Sequence, residues 1–114
     1  MRLVTKKEAP LITIYFIDAK TMECKLMKVK DELKTYYDLI GTDSVEVIAR
    51  YIDGEVTEII CDEEGKLKKH QYISGMSDDF RETLVGNLII KSTNLKIPMI
   101  VAHYGMLQYS FRRS

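Results

Sequence analysis

Cysteine is scarce in this 114-residue sequence, which contains two cysteines, two prolines and no tryptophan. Two cysteines are too few for the disulfide framework of a small secreted protein, and Cys24 and Cys61 lack C-x-x-C spacing. Both lie inside strand-like runs, where a buried free thiol behaves as a small hydrophobic group. We therefore expect free cysteines and a cytoplasmic protein.

An excess of charge of one sign is also absent, because 17 basic residues balance 17 acidic ones. No overall field draws the protein to nucleic acid or to an anionic membrane, although a local basic patch is still allowed. Long hydrophobic runs are missing as well, since residues 11–17 and 97–107 are too short or too interrupted to span a bilayer. The N-terminal residues lack the apolar segment of a secretory signal, so we expect no association with a membrane.

The sequence does contain enough apolar residues for one core, being 46% hydrophobic and 30% charged. A chain of this length can bury a core without a disulfide or a metal ion. No repeat, low-complexity segment or linker divides it. We predict a single domain over residues 1–114, with a flexible N-terminal segment at 1–10 and a C-terminal extension at 95–114.

Two hairpins are predicted from β-branched and alternating apolar runs. Leu11–Ile17 is apolar on both faces, which indicates a central strand covered on both sides, and Glu23–Val29 is predicted to pair with it. Val45–Ile52 and Glu55–Cys61 flank Asp53-Gly54, the pair of residues best suited to a type I′ turn.

The chain after the second hairpin is predicted to continue as a meander. Asp62–Gly65 is expected to form a turn in which Gly65 takes the left-handed conformation, and Lys66–Tyr72 is expected to be the next strand. Leu84–Lys91 is predicted as one further strand, with Gly86 as a bulge or a point of close packing.

Residues 74–79 are rich in serine, glycine and aspartate, which predicts a loop. Ser77 or Asp78 is placed to cap a short helical turn over Phe80.

One helix is clearly indicated by apolar residues at positions i, i+3, i+4 and i+7, namely Leu33, Tyr36, Tyr37 and Ile40. Asp31 is placed to cap its N-terminus and Gly41 to close its C-terminus, so the helix is predicted to run from about Glu32 to Ile40.

A C-terminal helix is predicted from the spacing of Ile97, Ile100, Val101, Tyr104, Leu107 and Phe111. Pro98 fits its first turn, but Gly105 lies within it, so Tyr104–Phe111 as a strand stays an alternative. The predicted fold class is α+β: a mostly antiparallel sheet in the order β-β-α-β-β-β-β, packed by one helix and followed by the C-terminal helix.

Three segments also carry a family pattern. The helix Asp31–Gly41 follows an N-terminal strand pair, Ile59–Leu67 is a strand that enters an acidic turn ending in glycine, and Leu84–Ile90 has the order hydrophobic, glycine, polar, hydrophobic. In this order they resemble the family of domain of unknown function 3846, which is common in phages and other mobile elements, over residues 11–92. The resemblance implies the α+β fold and a mobile-element origin, and it implies no activity.

The chain departs from that family pattern at two places. Gly41–Glu46 replaces a Gly-Gly-Tyr-Ile-Glu-like entry to the third strand. His70–Tyr72 lies where the family has an Asn-Arg pair, and the segment after Asn94 has no counterpart in the resemblance.

The ionisable residues form no recognised motif for catalysis, cofactor binding or metal binding. Asp62–Glu64 are consecutive acids, which is typical of a solvated turn, whereas a calcium loop needs alternate carboxylates. His70 and His103 lie far apart, and a zinc site would need both histidines and both cysteines to converge. Both cysteines also lack the helix N-terminus that stabilises a thiolate. We therefore predict no catalytic residue, no cofactor, no metal and no enzymatic activity.

A candidate basic patch consists of Lys66, Lys68, Lys69 and His70. On a strand, Lys66, Lys68 and His70 would share one face, where they would contact phosphates or protect a sheet edge from aggregation. We favour protection of an edge.

The C-terminal segment combines aromatic and arginine side chains, which are enriched at binding hot spots. The candidate interaction surface consists of Tyr104, Tyr109, Phe111, Arg112 and Arg113. The simpler interpretation is a helix that packs on the sheet. Apolar residues nearly all round it favour burial on several sides or contact with a second subunit.

The leading hypothesis is a non-enzymatic interaction protein of a mobile element, which binds a host protein or its own copy and acts, for example, against a host defence. Homodimerisation through the C-terminal segment or an edge strand belongs to this hypothesis. The alternative is a nucleic-acid-binding accessory protein that uses the strand Lys66–His70 and the Arg112-Arg113 tail. A small nucleotide-binding or enzymatic domain is the third hypothesis, and it requires a deep polar pocket.

Overall fold

A computed structural model of the protein describes residues 9–69 and 71–110. The predicted flexible segment at residues 1–10 therefore lies mostly outside the described residues. In chain order the described elements are β1 (Leu11–Asp18), β2 (Glu23–Lys30), α1 (Leu33–Ile40), β3 (Val45–Ile52), β4 (Glu55–Asp62), a 3₁₀ turn (Gly65–Leu67), β5 (Ile73–Ser77), β6 (Thr83–Val85), β7 (Leu88–Lys91), α2 (Ile97–Tyr104) and β8 (Leu107–Tyr109). The predicted α+β class is confirmed.

The larger of two sheets has five strands in the order β2-β1-β7-β4-β3, and every neighbouring pair is antiparallel. Both predicted hairpins are present, and β1 is an interior strand as expected. Asp53 and Gly54 both have positive φ, at 53° and 78°, which confirms the type I′ turn. The central strand is β7, where Ile89 and Ile90 are fully buried. The two hairpins are therefore joined by a strand that follows both of them in the sequence.

The two faces of this sheet carry separate cores. On one face, Ile14, Ile60 and Ile89 pack beneath Tyr36 and Ile40 of α1. On the other face, Tyr15, Ile59 and Ile90 belong to a larger cluster that includes side chains from the smaller sheet and α2. Because neighbouring residues of a strand point to opposite faces, the unbroken apolar run in β1 serves both cores.

The first helix confirms its predicted end but not its predicted cap. Gly41 has φ 82° and donates its N–H to the carbonyl oxygen of Tyr37 at 2.8 Å. At the other end the N-cap residue is Glu32, and the described residues show no side-chain cap there. Asp31 instead accepts the hydroxyl of Tyr36 and forms an ion pair with Lys91 at 3.6 Å, so its carboxylate is engaged away from the helix end.

The prediction that Lys66–Tyr72 continues the meander is wrong. The side chain of Asp62 accepts the N–H of Glu64 at 2.9 Å and the ammonium of Lys68 at 2.6 Å, which folds the segment back as a 3₁₀ turn. Gly65 does not take the predicted left-handed conformation, because its φ is not positive. Gly65 is closely packed, since an added Cβ would lie 3.0 Å from Cγ2 of Val85.

The predicted loop at residues 74–79 is largely the strand β5, and β5 is the middle strand of a second sheet ordered β6-β5-β8. It pairs antiparallel with β6 and parallel with β8. Ser77 does not cap a helical turn. Its hydroxyl accepts the N–H groups of Arg81 at 3.2 Å and Glu82 at 2.9 Å, which closes the turn between β5 and β6.

The single strand predicted over Leu84–Lys91 is divided between the two sheets. Gly86 has φ 78°, a conformation that suits glycine, and this lets the chain leave β6 and enter β7. Asn87 holds the crossing in place, because it accepts the N–H of Ala19 at 3.0 Å and donates to the carbonyl oxygen of Leu39 at 3.2 Å. Gly86 therefore ends one strand rather than making a bulge in it.

The C-terminal segment contains both of the predicted alternatives in succession. The helix α2 is confirmed, with Pro98 in its first turn, and it ends at Gly105 with φ 69°. The strand β8 follows, so the helical spacing does not extend to Leu107, which is fully buried as a strand residue.

Candidate functional site

The outward side of α2 exposes large apolar side chains. Met99 and Tyr104 of α2 are 72% and 52% exposed, and Leu95, in the turn before the helix, is 79% exposed; we call these three residues the α2 surface. The inward side of the same helix is firmly packed, since Ile97 and Val101 are buried in the larger core. A helix held on one side and apolar on the other is typical of a contact surface.

A groove of about 380 Å³ runs along this side of the helix. It is lined by Lys96, Met99, Ile100, His103 and Tyr104. The rings of His103 and Tyr104 meet edge to face with centroids 4.7 Å apart, which orders one wall of the groove. Lys96 forms an ion pair with Asp53 at 3.5 Å, but its side chain stays 69% exposed.

The position of this segment is secured by a polar cluster that we call the clasp, which consists of Arg50, Glu82 and Tyr109. Arg50 donates from Nε and from a terminal nitrogen to the two carboxylate oxygens of Glu82, both at 2.8 Å. The Tyr109 hydroxyl donates to the same carboxylate at 2.9 Å. The clasp thus joins β3, the start of β6 and β8, and it ties the C-terminal strand to both sheets.

The hydrogen bonds of the clasp influence the protonation states of Glu82 and Tyr109. The guanidinium of Arg50 is the main cause that lowers the pKa of Glu82, and the hydroxyl of Tyr109 acts in the same direction. Burial, together with the neighbouring Glu82 carboxylate, raises the pKa of Tyr109. Near neutral pH, Glu82 is therefore a carboxylate and Tyr109 a neutral donor.

Acidification is expected to weaken the fold through the clasp, because the folded state holds the pKa of Glu82 below its ordinary value of 4.5. Below that pH the unfolded chain binds a proton that the folded chain does not, so the free energy of unfolding falls as the pH drops through the lower, folded pKa. Urea unfolding between about pH 6 and about pH 3 measures this fall. Glu82→Gln is expected to reduce the dependence of the free energy of unfolding on pH. The same dependence in the variant and the wild-type chain would contradict the role of Glu82.

A cleft of about 220 Å³ lies between the larger sheet and β6. Its lining includes Glu46, Arg50, Cys61, Glu82 and Leu84. Burial, with Glu46 nearby, raises the pKa of Cys61 to about 12, so this thiol stays protonated at neutral pH. The carboxylate of Glu82 is already held by Arg50 and Tyr109. Two of the groups that line the cleft are therefore a protonated thiol and a carboxylate that is paired within the protein.

A family model matches residues 12–95, which is most of the chain. The chain belongs to the family described as Domain of unknown function (DUF3846). No curated protein and no solved structure matches it. The DUF3846 match ends at residue 95, before α2 and β8. Met99 and Tyr104 of the α2 surface and Tyr109 of the clasp thus lie beyond the part of the chain that the family model covers.

The structure separates the residues of the predicted interaction surface. Tyr104 is exposed on the α2 surface, as that hypothesis requires. Tyr109 is 2% exposed and belongs to the core, so its placement on an exposed surface is wrong, because β8 turns its ring inward toward Glu82. Phe111, Arg112 and Arg113 lie outside the described residues.

The described residues of the predicted basic patch do not lie on a strand, so the prediction that Lys66 and Lys68 share a strand face is wrong. Lys66 and Lys69 are exposed, and His70 lies outside the described residues. Lys68 forms a close ion pair with Asp62, whose pKa is lowered because hydrogen bonds from Lys68 and the Glu64 backbone outweigh the effect of burial. This pairing reduces the positive charge that the patch offers to a phosphate.

Three further findings concern metal ions, membranes and the cysteines. Within residues 9–69 and 71–110, no group of three or more His, Cys, Asp or Glu side chains is arranged to hold a metal ion. In the same part of the chain, no helix has the length and apolar character needed to cross a bilayer. Cys24 and Cys61 are both free.

The sequence patterns did not predict the clasp, although one sequence signal points to it. Arg50 lies between Ile48 and Ile52 in β3, at the alternate positions that face the larger core. A charged residue in such a position requires a partner, because burying an unpaired charge is costly. The identity of that partner was hidden, since Glu82 is 32 residues away in the chain.

Proposed function

We propose that this protein is a non-enzymatic accessory protein of a phage or plasmid, which acts in the cytoplasm by binding another protein through the α2 surface. Interference with a host defence is the form of this activity that we favour. The proposal rests on one observation: the helix α2, anchored in the core, exposes Met99 and Tyr104 along an apolar groove. A contiguous exposed apolar surface is a feature of protein interaction sites.

The chemistry of the groove supports a particular kind of partner. Met99, Ile100 and Tyr104 provide an apolar wall for a large side chain. Lys96 and His103 stand beside it, and the exposed ion pair of Lys96 with Asp53 is exchanged at little cost. The partner we propose inserts an apolar side chain that is flanked by carboxylates.

The thiol in the cleft supports a non-enzymatic role. A nucleophilic cysteine needs a lowered pKa, and burial shifts the pKa of Cys61 in the opposite direction, to about 12. Free thiols at Cys24 and Cys61 fit a reducing compartment such as the cytoplasm.

Met99→Glu is expected to abolish partner binding without unfolding the chain, because Met99 is 72% exposed and borders the groove. Leu67→Glu is the matched control, since Leu67 is 83% exposed and lies on the 3₁₀ turn. Affinity capture from a host extract, with quantitative mass spectrometry, compares the wild-type chain with both variants. Calorimetry with the purified captured protein then measures its affinity for each.

The proposal is supported by a protein that the wild-type chain and Leu67→Glu retain and that Met99→Glu binds at least roughly tenfold more weakly. Equal capture by all three chains would overturn it. A dimer that forms with rising concentration in sedimentation velocity, and that Met99→Glu removes, would identify a second copy as the occupant and would also overturn it.

A further inference from the structure

The strand β2 is a long open edge of the larger sheet. All eight of its residues, Glu23–Lys30, are paired with β1 in one unbroken register. Within residues 9–69 and 71–110, no strand pairs with β2 on its other side. Alternate N–H and C=O groups of this strand therefore point outward without a strand partner, which is the arrangement that another strand can join.

The remaining edges are shorter or partly closed. β6 and β8 have three residues each. At the end of β3, Tyr51 and Ser110 exchange two backbone hydrogen bonds, at 3.3 Å and 2.7 Å. Natural edge strands are commonly protected by a bulge, a proline or shortness, and β2 has none of these. Its protection is charge, because Lys25, Lys28 and Lys30 are exposed along it.

The same lysines decide which strand can pair there. β2 carries three lysines and one glutamate, so a second copy would place two positively charged strands side by side. The N-terminal residues 1–8 hold three basic residues and one acidic residue, so their charge does not match β2 either. A strand rich in carboxylates would instead oppose each lysine with an opposite charge.

Apolar side chains on β2 complete the pattern. Met27 and Val29 pack toward the α1 side of the sheet, so Leu26, at the alternate position, points to the other side, where it is 56% exposed. A strand laid beside β2 would find Leu26 and Met27 at its centre, one on each face, with the ammonium group of Lys25 before them and those of Lys28 and Lys30 after them. We propose that β2 is a docking edge for an extended acidic segment of another protein, which adds a sixth strand to the larger sheet.

The test titrates the full-length, ¹⁵N-labelled protein with a capped peptide of about eight residues, matched to the length of β2, that has glutamate at the positions opposite Lys25, Lys28 and Lys30 in an antiparallel pair and valine elsewhere. A peptide of the same length with lysine in place of each glutamate is the control ligand. We expect the acidic peptide alone to shift the amide resonances of β2 and to slow hydrogen exchange at its outward-facing amides. Replacing Lys25, Lys28 and Lys30 with glutamate is expected to weaken this binding about tenfold.

A matched variant replaces the exposed residues Lys34, Lys66 and Lys69 with glutamate and has the same net charge. It should bind the acidic peptide as the wild-type chain does. Equal weakening in both variants, shifts without protection of the β2 amides, or no binding at low salt would each overturn the proposal. Met99→Glu is expected to leave this binding unchanged, so its outcome is separate from that of the α2 surface.

Discussion

A chain that ends at Leu95 is expected not to fold, even though it contains the whole segment that the family model matches. The removed part holds Ile97, Val101, Leu107 and Tyr109, which are each 2% exposed or less and pack in the larger core. Burial of each such side chain contributes about 1.5–3 kcal/mol, so their joint loss is comparable with the roughly 5–15 kcal/mol that stabilises a whole domain. The truncated chain would also expose the apolar residues that these four cover.

Circular dichroism and the dispersion of amide resonances measure this outcome. A chain that ends at Ser110 is the control, since it keeps all the described elements. We expect it to fold and to unfold cooperatively. If the shorter chain also unfolded cooperatively, with a free energy close to that of the full-length protein, the C-terminal elements would be an appendage and the assignment of this core would be wrong.

Breaking the clasp is expected to lower the free energy of unfolding by about 2–4 kcal/mol for Glu82→Ala or Arg50→Ala. The reason is that either substitution leaves the other charge largely buried, since the two side chains are only 19% and 22% exposed. The figure is somewhat below that for a fully buried pair, because water still reaches about a fifth of each side chain. Urea unfolding of both single variants measures the two losses.

The double variant Arg50→Ala with Glu82→Ala tests whether the two residues act together. It is expected to lose less than the two single losses combined, with a coupling of about 1–3 kcal/mol. The exposed pair Lys34 and Asp38, 3.4 Å apart and 82% and 69% exposed, is the control and should show a coupling below about 0.5 kcal/mol. Additive losses at the clasp would mean that Arg50 and Glu82 stabilise the fold independently.

The candidate sites were only partly predictable from the sequence, because in each case the decisive contacts depend on where the chain places distant elements. The sequence predicted Tyr104 as part of an interaction surface because it is an aromatic residue in an apolar helix. The burial of Tyr109 depended on Gly105, which ends that helix before the strand β8. The protective lysines were expected at Lys66–Lys69, but the open edge is β2, and its lysines gain this role only from the strand order.

The spacing of apolar residues, alternate in the strands and every three to four in the helices, determined the α+β class, the two hairpins and both helices, because these depend on neighbours within a few positions. Tertiary structure alone decided that β7 lies between the hairpins, that Gly86 divides one apolar run between two sheets, and that Arg50 meets Glu82. These features join residues far apart in the chain, and local sequence patterns carry no information about such pairings.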